Sequence, residues 1–228
     1  AQVCAQEAIR INSEYPEAWA NLGEIFSRRR QYIQAIECFT QARSLKIATP
    51  FIDGLILSLQ GMIGDWSSYE KNCAKLPERL KTSDKIITPF PALSILEDPQ
   101  DQLRAAQIFS DAEYPENNIL GSIPKHSNSK IKIAYVSADF RDHAVSYLTT
   151  ELFELHDRDL FEVYAFSLKR AASSPTRDRL IAGFDHFIDV EDKTDAEIAT
   201  LARNLKIDIA IDLGGHTQDA RTGVFAYR

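Results

Sequence analysis

Two short polar stretches hold the residue types that chemistry needs. One reads S-A-D-F-R-D-H at 137–143; the other reads D-L-G-G-H-T at 212–217, with Arg221 just beyond. The first carries Asp139, Asp142 and His143, the second Asp212 and His216. An imidazole titrates near neutrality, so it can take a proton from a hydroxyl or steady a developing phosphate charge. Gly214 and Gly215 allow the backbone to approach a ligand closely, and a helix starting after them would offer N–H groups to an anion. Plainer roles compete with these. A histidine after a strand can be a cap or a packing residue, Asp139 and Asp142 can cap the next helix, and Gly-Gly can be an ordinary tight turn. His126 falls in a polar connecting segment, His156 suits a helix C-terminus, and His186 sits in a strand pattern; all three read as structural. Neither stretch fits G-x-G-x-x-G or a P-loop, which disfavours dinucleotide and ATP binding of those kinds.

The elements that position these residues alternate. Strands are expected at 131–137, 161–168, 185–190 and 207–213, and helices at about 144–156, 175–183 and 194–206. The helix after His143 has an apolar repeat at Val145, Leu148, Leu152 and Leu155. Thr194 with Glu197 three residues on is a capping box, and the helix it starts has Ile198, Leu201, Ala202 and Leu205 on one face. Such alternation means a parallel sheet covered on both faces, and ligands then bind beyond the carboxyl ends of its strands. In a parallel sheet both polar turns emerge on one edge, so His143 and His216 are expected to face one cleft. About 100 residues with four strands is small for a complete doubly wound domain. A further helix start is read near residue 228, and the sheet is expected to be cut short there.

The first part of the chain is helical. Trp19, Leu22, Gly23 and Phe26 share one face of a helix, and Ala35, Ile36, Phe39 and Ala42 share a face of the next. The intervals from Trp19 through Leu22, Gly23, Phe26, Ala35, Phe39 and Ala42 follow the tetratricopeptide (TPR) pattern. Ala1, Ala5 and Ala8, then Asn12 and Pro16, read as the closing helix of a preceding repeat. One repeat cannot bury its own face, so further repeats are expected before residue 1, shaping a concave surface for a partner. An unrelated helical hairpin is the alternative. Residues 51–59, 69–76 and 98–109 read as helices. The segment around Pro89 and Pro91 reads as extended or turning. The polar stretch 113–129, with Pro115, Asn117, Asn118 and Pro124, is the expected boundary. The divisions are thus 1–47, 48–129 and 130–228.

The 228 residues have 44% hydrophobic and 26% charged content, which is that of a globular protein. A formal charge of -7 argues against a general nucleic-acid binder, and Arg28 to Arg30 read as a solvated helix end. The three cysteines, Cys4, Cys38 and Cys73, show no C-x-x-C spacing, so neither a zinc site nor a disulfide framework is expected; a reducing compartment is. No apolar run is long enough for a membrane span and no signal peptide is visible.

Taken together, several motifs resemble one family. Leu59 with Asp65, Trp66 and Tyr69, then I-x-x-F-P-A-L at 87–93, then IAYVSADFRDH at 133–143, then DLGGHT at 212–217 occur in the order seen in the TPR-linked O-GlcNAc transferases and their SPINDLY-type relatives. The resemblance implies an α + α/β chain: TPR-type repeats and a helical linker, then part of the amino-terminal Rossmann-like lobe of a GT-B glycosyltransferase. It implies inverting transfer of a sugar, GlcNAc first, from a nucleotide diphosphate donor (UDP-GlcNAc) to protein Ser or Thr hydroxyls, with no metal and no further cofactor. His143 falls on the family's active-site histidine, considered a general base, and is the expected catalytic residue. Asp139, Ser146, Gly214, Gly215, His216, Thr217 and Arg221 are the expected substrate-binding residues; animal members carry tyrosine where His216 stands. The implied partners are acceptor proteins on the TPR surface and a nucleotide sugar, without nucleic acid or membrane, with a homodimer through the repeats and a cytoplasmic setting as further implications. The alternatives are a catalytically inactive TPR scaffold, a protein O-fucosyltransferase, or a GT-B-shaped nucleotide-sugar epimerase. The donor-site residues belong mostly to the carboxyl-terminal lobe, which nothing in this chain matches. Residues 1–228 alone are therefore expected to show no transfer.

Overall fold

A computed structural model describes residues 1–45, 50–123 and 126–227. The 47/48 division and Pro124 lie outside the described residues. The chain forms two compact units, residues Ala1–Ala112 and Glu113–Arg228.

The first unit is helical: α1 (Gln2–Ile11), α2 (Pro16–Arg28), α3 (Tyr32–Ser44), α4 (Ile52–Ile63), α5 (Tyr69–Cys73), α6 (Leu76–Lys81), α7 (Pro89–Ile95) and α8 (Pro99–Glu113). A three-residue turn, with Arg30 in the left-handed region, folds α3 back on α2. The contact is close because Gly23 has no side chain: a Cβ there would sit 2.8 Å from the Phe39 ring. Phe39, Ala35 and Ala42 are buried with Ile52, Ile56 and Leu59 of α4, and Trp19 and Phe26 pack at the edge. A second cluster joins Leu57, Leu76, Leu80, Ile87 and Ala92.

The segment expected to be extended around Pro89 and Pro91 is instead helix α7. Pro89 takes its first position and Pro91 its first turn, where no intrahelical N–H is needed, while Thr88 before them is extended. These prolines start a helix rather than break one. Residues 69–76 likewise form no single helix but divide between α5 and α6.

The second unit has strands β1 (Ile131–Ser137), β2 (Phe161–Ser167), β3 (His186–Asp189) and β4 (Ile209–Asp212), with α9 (Ala144–Glu154), α10 (Pro175–Ala182) and α11 (Asp195–Asn204) between them and a 3-10 turn at Thr222–Ala226. All three strand pairings are parallel, in the order β3-β2-β1-β4. Alternate residues of β1 face opposite cores. Ala134 and Val136 pack with Tyr164, Phe166 and Ile198 on the α11 side. Ile133 and Tyr135 pack with Phe153, Val163, Leu180 and Phe184 on the other. Both faces of β1 and β2 are buried, which is why these strands read as apolar runs. The Thr194–Glu197 capping box is formed, and Leu201, Ala202 and Leu205 pack beside Ile198.

Helix α9 is turned the other way from its apolar repeat. Leu148, Leu152 and Leu155 are exposed, at 82%, 49% and 75%. The buried face is Ser146, Thr150 and Phe153. The Ser146 hydroxyl donates to the Asp139 carbonyl at 2.5 Å and that of Thr150 to the Ser146 carbonyl at 2.6 Å. Small hydroxyl residues that satisfy themselves on nearby carbonyls let the helix lie close to the sheet.

Candidate functional site

The chain runs β1, β2, β3 outward in one direction and then returns to place β4 on the other side of β1. That reversal makes the carboxyl ends of β1 and β4 a topological switch point, where open α/β sheets bind ligands. Both polar turns leave from this point. A cleft of about 300 Å³ opens between them, lined by Asp139, Arg141 and His143 from the first turn, Val145 at the start of α9, and Leu213, Thr217, Gln218 and Asp219 at and after the second turn.

The first turn is held from beneath. The Ser137 hydroxyl accepts from the Asp139 amide at 3.0 Å, and Ser146, 1% exposed, binds the Asp139 carbonyl. Phe140 is buried among Phe153, Phe184 and Phe187. Its carbonyl accepts from Nη1 of Arg177 at 2.7 Å, and Nη2 of that guanidinium reaches Asp189 at 2.9 Å. Hydroxyls of Thr176 and Ser174 hold the Asp142 carboxyl below the usual carboxylate range. His143 caps α9, its Nδ1 accepting from the Val145 amide at 3.3 Å. The same Nδ1 lies 3.6 Å from Oδ2 of Asp139, whose Oδ1 takes Arg141 at 3.0 Å.

The second turn folds on its own side chains. Oδ1 of Asp212 accepts from the amides of Gly214 and Gly215, at 2.8 and 3.0 Å, and Gly215 has φ +55. The Thr217 amide and hydroxyl both donate to the Gly214 carbonyl, and the Thr222 hydroxyl donates to that of Gly215. Both glycine amides are spent on Asp212, and a short 3-10 turn at Thr222–Ala226 stands where a helix offering N–H groups to an anion was expected.

Of the residues expected to act, Asp139, His143 and Thr217 meet in the cleft. Ser146 lies under it. Gly214 and Gly215 form the turn. His216 is half-buried and is not among the lining residues, although its turn shares the rim with His143. Nε of Arg221 donates to Asp195 at 2.7 Å, tying the second turn to the start of α11. Sequence reasoning gave no role to Gln218 and Asp219, which follow the motif directly, nor to Lys169, whose ammonium pairs with Asp219 at 3.0 Å from the end of β2. Nor did it find Arg177, which no local pattern marks. A larger, mainly apolar cavity of about 680 Å³ lies against α11 and β4, away from both turns.

Residues 106–228 match a family model described as glycosyl transferase family 41. The chain is 35% identical over 97 residues to a probable UDP-N-acetylglucosamine–peptide N-acetylglucosaminyltransferase, SEC, of Arabidopsis thaliana, covering 42% of this chain and 10% of that one. A Caenorhabditis elegans UDP-N-acetylglucosamine–peptide N-acetylglucosaminyltransferase is 26% identical over 183 residues, 73% of this chain and 16% of the other. The Arabidopsis protein SPINDLY, named as a probable enzyme of the same kind, is 32% identical over 107 residues, 46% of this chain and 12% of the relative. Among solved structures, a mutant O-GlcNAc transferase from Thermobaculum terrenum superposes with a TM-score of 0.63 at 24% identity, over 100% of this chain and 44% of that one. The chain thus spans only 10 to 16% of the length of these curated relatives. A family match over more than half its length, on the unit that holds the switch-point cleft, establishes that the chain belongs to glycosyl transferase family 41.

Proposed function

We propose that this chain is part of a longer, metal-independent protein O-glycosyltransferase. In this reading the sheet unit belongs to the amino-terminal lobe of a GT-B enzyme, and the helical unit carries TPR-type repeats that gather acceptor proteins. The enzyme moves GlcNAc from UDP-GlcNAc to a Ser or Thr hydroxyl with inversion. The observation that carries the reading is the convergence of Asp139, His143 and Thr217 on one cleft at the switch point of a family 41 sheet. The seating of Gly23 against Phe39, with Trp19 and Phe26 beside them, supports the repeat assignment. Three free cysteines support a cytoplasmic setting.

In the transfer, the acceptor oxygen forms a bond to the anomeric carbon as the bond to the donor diphosphate breaks, and the hydroxyl proton must leave. His143 has two ways to serve. As the α9 cap, its Nδ1 is an acceptor and Nε2–H is a donor, suited to hydrogen-bonding a phosphate or acceptor oxygen. To receive the proton at Nε2, the ring must carry hydrogen at Nδ1. The Asp139 carboxylate 3.6 Å away stabilises that tautomer and the imidazolium that follows. The change gives up the cap bond from Val145, so one proton position couples helix start and chemistry.

The test is mass spectrometry of a candidate acceptor incubated with the full-length protein and either UDP-GlcNAc or GDP-fucose. A mass gain of one N-acetylhexosamine with the first donor supports the proposal. Fucose transfer instead corrects the donor, and no transfer from any nucleotide sugar leaves a scaffold.

A further inference from the structure

The helical unit contains a second polar recess, unrelated to the switch-point cleft. It has a volume of about 170 Å³ and is lined by Arg43 of α3, Asp53 of α4, Asn72 of α5, and Lys75 and Arg79 at and within α6. Its floor is apolar and buried: Ile56, Leu57 and Leu76 are 4%, 2% and 2% exposed.

Charge in this recess opposes that of the chain. Three cations, Arg43, Lys75 and Arg79, meet two carboxylates, Asp53 in the recess and Asp84 beside it, which leaves an excess of positive charge in a protein of net charge -7. Asp53 does not quench the site so much as organise it. Its Oδ1 takes Nη1 of Arg43 at 3.2 Å and its Oδ2 takes Nη1 of Arg79 at 2.5 Å. Each of those bonds uses one N–H of a five-donor fork; Arg79 spends one more, Nε to Asp84 at 3.1 Å. Among the described residues the other N–H groups of the two forks have no carboxylate partner. Lys75 is exposed and makes no ion pair among the described residues. Asn72 donates to the Ser68 hydroxyl at 3.3 Å with one of two amide hydrogens.

We infer that this recess binds a phosphate monoester. Guanidinium forks held by a shared carboxylate suit tetrahedral oxyanions, and a monoester at neutral pH brings about -1.5 to -2 of charge to a recess of three cations. The volume lies below the ~300 Å³ at which whole small-molecule sites begin, so the recess holds one group of a larger ligand or the free anion. The inference stands on the helical unit alone and does not depend on the proposed transferase activity.

The experiment uses the 228-residue chain, titrated with a short phosphoserine peptide, the same peptide unphosphorylated, and inorganic phosphate, followed by NMR at the Asn72 side-chain amide and the arginine Nε–H groups. The phosphoserine peptide is expected to shift these signals and the unphosphorylated one is not. Tighter binding of the peptide than of inorganic phosphate assigns a phosphorylated polypeptide; equal binding assigns the free anion. Lys75→Glu, on an exposed residue, should weaken binding at least about fivefold, while Lys71→Glu, on an exposed lysine outside the recess, should change it less than about twofold. Equal response to both peptides, or equal loss in the two variants, overturns the inference.

Discussion

Arg177→Met should unfasten the first cleft turn from the sheet unit, and its cost can be worked from the contacts. Arg177 is 5% exposed; its guanidinium donates to the Phe140 carbonyl and to Asp189 and lies over the Phe187 ring with its carbon 5.1 Å from the centroid. Methionine fills much of the volume but leaves the Phe140 carbonyl and Asp189 without this partner. Breaking a buried charge pair costs roughly 3–5 kcal/mol. Asp189 is itself 36% exposed and can rehydrate, which favours the lower end, about 3 kcal/mol. Both tryptophans, Trp19 and Trp66, lie in the other unit, so fluorescence does not report this one. The assay is native-state hydrogen exchange of the β1 and β2 amides, whose most protected members should exchange about a hundredfold faster. Arg177→Lys keeps the charge but not the fork and should fall between. Acceleration of less than about threefold in Arg177→Met would refute the idea that this arginine anchors the turn.

Gly23→Ala gains helix propensity of about 1 kcal/mol but places a Cβ 2.8 Å from the buried Phe39 ring, which costs roughly 1–3 kcal/mol, so the helical unit should melt earlier by tryptophan fluorescence, both tryptophans lying in it. Burial pushes the Asp208 carboxyl up, yet the Lys132 amide, Asn128 and His126 together draw it below the usual carboxylate range. A carboxyl held lower in the native state than in the unfolded chain contributes stability above about pH 4 and loses it as pH falls further. The sheet unit should therefore weaken on acidification below about pH 4, followed by circular dichroism, and Asp208→Asn should flatten that dependence. Ser146→Ala removes the buried hydroxyl that holds the Asp139 carbonyl and should cost about 1 kcal/mol in exchange protection of α9.

What the sequence disclosed was set by how local each signal is. The β1 apolar run, the Thr194–Glu197 box and the strand–helix alternation all lie within a few residues of the structure they specify, and the observed elements follow them within about two residues of the expected bounds. The position of the two turns on one edge followed from parallel topology. What stayed hidden depends on distance or rotation. Arg177 sits on a polar helix and is buried by contacts made far along the chain, with Phe140, Phe187 and Asp189. The leucines of α9 promised the core, yet Ser146 and Thr150 took it, because small side chains whose hydroxyls bind nearby carbonyls pack closer than leucines can. Pro89 and Pro91 were read as breakers when their place in the first turn made them starters. A helix was expected to start after Gly214 and Gly215, but Asp212 just upstream takes both glycine amides and folds the segment into a turn.

The most direct measurement is single-turnover sugar transfer to an acceptor peptide by the full-length protein, with His143 intact or replaced by alanine or glutamine. Removal of a positioned general base costs roughly 10²–10⁴-fold, so both variants should fall by at least about 10²-fold while the sheet unit keeps its exchange protection. Transfer at an unchanged rate by a folded His143→Ala protein would contradict the account and move the chemistry away from this cleft.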